Sequence, residues 1–289
     1  IDADRRVDAS RGPPAPPPPP PATDWALTDV LGAGYAADNT TSGAGATLAV
    51  LDTGIDSDHP YLPAATCLGN FTGGTGCEDG QGHGTHVAGT IAALPSSGHR
   101  GLAPGVALSV AKVLNDSGSG STSGIAAAID AAAAAELDVL NMSLGGSMSV
   151  GGEANDALCV AIARANVLGT ASVVAAGNES SDAGRTSPGG CDGAITVAAY
   201  DSTGKLASFT NYGADVDIAA PGASIYSTTN NGLFGLKSGT SMASPHVAAV
   251  AALFAAANPG ATPADIKAGI IASSADRGEP IAYSRKIQL

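Results

Sequence analysis

Between residues 47 and 200, short apolar runs alternate with stretches of helical spacing. TLAVLD (Thr47–Asp52), VALSVAKVL (106–114), LDVLNMSL (137–144), SVVAA (172–176) and AITVAA (194–199) carry no polar alternation and read as buried strands. Helical spacing runs over 82–94, where Pro95 ends it, and over the Ala-rich stretch SGIAAAIDAAAAAEL (123–137). It returns at 153–165 and again at 241–257, stopping at Asn258-Pro259. Strands apolar on both faces, separated by helices, predict an α/β fold of three layers: a mostly parallel central sheet with helices on both faces.

In open parallel sheets, ligands bind beyond the carboxyl ends of the strands. Asp52 ends the first strand, Ser143 and Leu144 end LDVLNMSL, and Gly177-Asn178 follow SVVAA. The pattern therefore expects these residues around one crevice.

Composition narrows the picture. With 44% apolar and 13% charged residues, the chain of 289 residues has the balance of a buried core and not of a disordered segment. The net charge of −13 repels nucleic acid and anionic membranes, so neither is expected as a partner. No apolar run approaches the length of a membrane helix. The run RGPPAPPPPPP at 11–21 lacks amide donors and reads as a polyproline linker, so residues 1–23 form an extension and the globular domain spans 24–289.

The four cysteines show no CxxC or Cys/His spacing, and no zinc site is expected. Cys67 and Cys77 bracket CLGNFTGGTGC, a loop able to close on itself. That leaves Cys159 for Cys191; four buried thiols are the alternative.

Nucleophilic catalysis needs a hydroxyl, a base to take its proton and a carboxylate to orient the base. Asp52 precedes a Thr-Gly turn in LDTGID, His83 sits between glycines in GHGTHVAGT, and Ser241 opens a helix in SGTSMASPH. Alone, each has an ordinary reading as turn former, loop histidine or helix cap. Together with NMSLGG, VVAAGNES and SFTNYG, they resemble the subtilisin-like serine peptidases (peptidase S8), nearest the proteinase K branch, from Trp25 to Tyr283. The chain order Asp, His, Ser is the one known for subtilisin.

That resemblance implies a serine endopeptidase with Ser241 as nucleophile, His83 as general base and Asp52 orienting the imidazole. Asn178 takes the place of the oxyanion-hole amide. It also implies a substrate groove walled by Ser143, Leu144 and Gly145, with Ala175, Ala176 and Gly177 on the other side of the first pocket. Gly118, Ser119 and Gly120 form the second edge. These walls are small and uncharged, which suits an apolar side chain before the scissile bond. Thr122 and Thr186 depart from the family's aromatic residues near the groove. His86 and His246 read as packed helix histidines, His59 and His99 as loop residues.

No cofactor is expected for catalysis. A structural Ca²⁺ is expected on the Asp217 carboxylate and the carbonyls of Asp192 and Ala194, whereas Tyr61 and Ser273 stand where relatives have acids. The expected partners are protein and peptide substrates and the chain's own inhibitory prodomain, whose tail IDADRRV resembles. A secreted monomer is expected.

Overall fold

Buried along almost its whole length, Thr47–Asp52 forms β1 at the centre of the molecule. The computed structural model describes residues 24–31, 42–95, 99–149, 152–276 and 285–286. The polyproline run and the segment IDADRRV lie outside the described residues. In chain order, α1 (Trp25–Leu31) precedes β1, then come β2 (Thr66–Asn70), α2 (His83–Ala92), β3 (Ala107–Lys112) and α3 (Thr122–Ala134). Next are β4 (Val139–Met142), β5 (Gly146–Ser147), α4 (Ala157–Val167), β6 (Ala171–Ala175), β7 (Thr186–Ser187) and β8 (Ala194–Tyr200). Then follow β9 (Ile218–Pro221), β10 (Ile225–Thr229), β11 (Leu233–Lys237), α5 (Thr240–Ala257), α6 (Pro263–Ser273), β12 (Ala275–Asp276) and β13 (Arg285–Lys286).

The main sheet runs β12-β13-β9-β8-β6-β4-β1-β3-β2 and is parallel except where β12 meets β13. Side chains alternate across β1. Leu48 and Val50 join the core under α2 and α5, while Ala49 and Leu51 face the core of α3 and α4. That alternation makes the three layers. The subtilisin-like α/β architecture expected from the strand and helix pattern is thus the observed one.

Differences from the sequence reading have local causes. The stretch at 153–165 breaks after a single 3₁₀ turn at Glu153–Asn155, because Asp156 accepts from the amides of Leu158 and Cys159 and starts α4 anew. Helix α6 and the β10–β11 hairpin were not expected. Contrary to the reading of apolar runs, α5 is long and apolar enough to cross a membrane, with mean hydropathy 1.3 over 18 residues. It lies inside the protein instead, with 78% of those residues buried. Two disulfides, Cys67–Cys77 and Cys159–Cys191, match the pairing read from the loop, and among the described residues no cysteine is free.

Candidate active site

The carboxyl end of β1 delivers Asp52, fully buried, against the first residue of α2. Its Oδ1 accepts from Nδ1 of His83 at 2.7 Å and from the amide of Thr53 at 2.7 Å. A carboxylate only accepts, so Nδ1 of His83 carries a proton toward it, and in the neutral imidazole Nε2 is the nitrogen left with a lone pair. The approach is possible because residue 84 is glycine: a Cβ there would lie 2.2 Å from the carbonyl oxygen of Gly54. The amide of Gly84 in turn donates to the Thr53 hydroxyl at 2.8 Å, closing helix onto strand end.

Asp79, four residues before His83, completes this side. Its Oδ1 accepts from the amides of Gln81 and Gly82, and its Oδ2 from the amide and hydroxyl of Thr85. Burial alone would raise its pKa, but these hydrogen bonds outweigh it and hold the carboxyl below its ordinary value. Asp79 therefore supplies a fixed negative charge at the N-terminus of α2, where free amides and the dipole favour one. Burial pulls the Lys237 ammonium, at the end of β11, below the usual lysine range, while the charges of Asp79 and Asp52 act against that.

Ser241 stands in the first turn of α5. Four residues on, Pro245 has no amide to give the Ser241 carbonyl, and the hydroxyl of Ser143 donates to it instead at 2.8 Å. The Ser241 hydroxyl donates back to the Ser143 carbonyl at 3.2 Å. Asn141, buried in β4, donates to Ser143 and accepts from Ser244, so the end of β4 and the start of α5 are locked together. Ser143 is thus a brace for α5.

Asn178 follows β6 on an exposed loop. Its Oδ1 accepts from the amide and the hydroxyl of Thr240 at 2.8 and 3.1 Å. With the oxygen held there, Nδ2 is left for another acceptor beside Ser241. The loop is itself fixed: Asn211 donates to the Ala176 carbonyl and to Glu179, and accepts from the amides of Glu179 and Ser181. Gly177 is required here, since its φ of +103° is left-handed and a Cβ would meet Asn211 at 2.3 Å.

Ala175 and Ala176 are buried on the strand end, Leu144 is half-buried and Gly145 exposed on the opposing turn. Thr186 hydrogen-bonds the carbonyls of Ala176 and Ala183 behind them. Gly118, Ser119 and Gly120 lie on a turn organised by Asn115, whose side chain accepts from the amides of Ser117 and Ser119. Lys112 ties that turn to the end of β1, donating to both Asp116 and the Thr53 carbonyl. The remaining histidines are structural. His86 is fully buried with Nε2 on the carbonyls of Ile225 and Gly235, and His246 bonds the Met242 carbonyl. His59 and His99 stand in loops as expected, both buried, with His59 bonded to the Leu233 carbonyl and His99 to Asp24.

The expected calcium residues lie at the amino ends of β8 and β9, away from the carboxyl strand end that carries Asp52. Asp217 Oδ1 and the Ala194 carbonyl both contact the ammonium of Lys267 at 2.7 Å. Asp192 donates its amide to Glu153 at 3.0 Å. So arranged, the set does not fit a calcium ion: a cation of the chain's own already lies among its oxygens.

These residues supply groups of the kind a serine hydrolase uses: a buried carboxylate bonded to an imidazole, a serine in the first turn of a helix, and a side-chain amide held at that helix start. The sequence profile of the subtilase family (peptidase S8) matches residues 43–285. Subtilisin DY of Bacillus licheniformis is 39% identical over 247 residues, covering 84% of this chain and 88% of that one. A cuticle-degrading serine protease of Arthrobotrys oligospora is 40% identical over 267 residues, covering 86% and 64%. The solved structure of a cold adapted subtilisin-like serine proteinase superposes with a TM-score of 0.82 at 33% identity, covering 91% of this chain and 97% of that one. The chain belongs to the subtilase family and is a serine endopeptidase.

Proposed function

We propose that the chain cleaves peptide bonds through an acyl-enzyme, with Ser241 as nucleophile, His83 as base and then acid, and Asp52 as its orienting carboxylate. The observation that carries this is the 2.7 Å bond to a wholly buried Asp52 from His83, which opens α2, a helix packed against α5, whose first turn holds Ser241. When substrate binds, the Ser241 hydroxyl exchanges its bond to Ser143 for one to His83 Nε2, and the attacked carbonyl gains negative charge. Asn178 Nδ2 and the Ser241 amide receive that charge. In subtilisin itself, loss of such a donor costs about 10²–10³ in kcat, a value taken from that enzyme and not from this geometry.

The substrate adds as a strand between the turn at 144–145 and the turn at 118–120. Small, uncharged walls at Ala175, Ala176, Gly177 and Gly145 favour an apolar residue before the scissile bond. Two disulfides support function outside the reducing cytosol, as a secreted enzyme. IDADRRV at 1–7 reads as the tail of an inhibitory prodomain, with the maturation cut between Val7 and Asp24; an unrelated N-terminal extension is the alternative.

The test is hydrolysis of a chromogenic peptide with an apolar residue before the cleaved bond. The parent enzyme should be active, and both Ser241→Ala and a serine-directed covalent inhibitor should abolish activity. A correctly folded, prodomain-free chain that binds peptides but cleaves none would make it a peptide-binding relative instead.

A further inference from the structure

We infer that the ammonium of Lys267 is the resident cation of the Asp217–Ala194 site, a tethered replacement for the calcium ion that the family resemblance leads one to expect there. The inference is independent of the catalytic reading, because none of these residues touches the triad.

Lys267 projects from α6, which is anchored by a full capping box: the Thr262 side chain accepts from the Asp265 amide, and Asp265 accepts from Thr262. From that fixed base, Nζ reaches Asp217 Oδ1 and the Ala194 carbonyl, each at 2.7 Å. Asp217 is held from the other side too. Its Oδ2 accepts from the Thr196 amide at 2.9 Å, and its own amide donates to the Thr196 carbonyl at 3.0 Å. One carboxylate thereby joins the start of β8, the approach to β9 and helix α6, which is the task a structural divalent ion performs in such a corner.

A carboxylate with a neighbouring carbonyl is hard-oxygen chemistry of the kind calcium takes at 2.3–2.6 Å. An ion bound to these two oxygens would sit beside an ammonium bound to the same two, and like charges at that range exclude each other. The tethered charge has a further consequence. A free ion stabilises by mass action and depends on its concentration, whereas Lys267 is always present at its site.

The experiment uses the whole chain carrying Ser241→Ala to prevent self-digestion, melted in EDTA and in millimolar Ca²⁺. Lys267→Ala is expected to lower Tm in EDTA by about 2–4 °C, the shift that roughly 1 kcal/mol produces in a domain of this size. Calcium should restore at least half of that loss, and the restoration should vanish in Lys267→Ala/Asp217→Asn. Lys267→Arg, which keeps the charge, should melt like the parent in EDTA. Should the alanine variant fail to fold, Lys267→Met serves in its place. Two results would overturn the inference: a calcium-dependent rise in the parent that Asp217→Asn removes, or a Lys267 variant without charge that melts like the parent or ignores calcium.

Discussion

Two carboxylates in this molecule hold a cationic or ionisable nitrogen at the same 2.7 Å, Asp52 on His83 and Asp217 on Lys267, and they do different work. Asp52 is wholly buried and its partner side chain is 21% exposed; Asp217 and Lys267 are 18% and 31% exposed. The difference lies in the partner's chemistry. An imidazole held by Nδ1 still has a second ring nitrogen to offer, so the bond can orient a reactive group. An ammonium has only donors, and here two of them are already spent on the protein, so the bond can only fasten two elements. Distance identifies neither role. What separates them is whether the held group keeps a free site facing the crevice.

The largest effect expected from this contrast is on activity. Asp52→Asn should reduce kcat by about 10⁴-fold, a scale that belongs to subtilisin and the related triad enzymes, because an amide can hold the wrong imidazole tautomer. Asp217→Asn should leave kcat within about twofold while lowering Tm by about 2–4 °C, since it weakens a partly exposed pair far from the crevice. Paired kinetics and melting on the two variants check this. A large kcat loss in Asp217→Asn would erase the distinction between the two carboxylates.

The next effect concerns pH. Burial holds His86 neutral far below its ordinary range, and burial likewise takes His246 down to about 4. In the unfolded chain both protonate near 6.5. As pH falls below that value, the unfolded state binds protons the folded state refuses, so stability is full above about 6.5 and declines toward 4. His246 alone accounts for roughly 3 kcal/mol of that loss. Below 4 the decline continues, as Asp79 loses the hydrogen bonds that only its carboxylate accepts. Denaturant melts of the Ser241→Ala chain at pH 7, 5.5 and 4.5 should show the fall, and His246→Gln should flatten it. A flat profile in the parent would mean the buried imidazoles do not stay neutral.

The residues behind these effects differ in how far the sequence announces them. Asp52, His83, Ser241 and Asn178 each lie in a short motif, and the central strands are continuous apolar runs, so both are readable along the chain. Thr240, Asn141 and Asn211 are not, because each acts on partners brought near by folding; Thr240 and Asn178 lie 62 positions apart. The Asp79 carboxylate bonds only within six residues of itself, but lies outside the GHGTHV run that marks His83. Helix α6 has only Ile266 and Ile270 buried, too few for a clear apolar stripe. Its start is nonetheless signalled by Thr262-Pro263 and Asp265. Without that helix Lys267 has no visible place, and the oxygens of Asp217 and Ala194 look like calcium ligands. The β10–β11 hairpin is likewise marked by Asn230-Asn231-Gly232, a turn signal between short strands.

A third pair sharpens the comparison from below. Arg164 on α4 meets Asp130 on α3 through three hydrogen bonds, the shortest again 2.7 Å, in better geometry than either pair above. Both side chains are about half exposed, at 50% and 47%. Water and salt screen such a pair, and ordering two long side chains offsets most of what attraction remains. The helices do not need it, because Ile125 and Ile129 of α3 share one core cluster with Leu158 and Ile162 of α4. Asp130→Asn should therefore leave Tm within measurement error at about 0.15 M salt, and kcat unchanged. A loss as large as that of Asp217→Asn would show that bond geometry, and not burial, ranks these pairs, and the reading of Asp217–Lys267 as a structural tie would lose its physical basis.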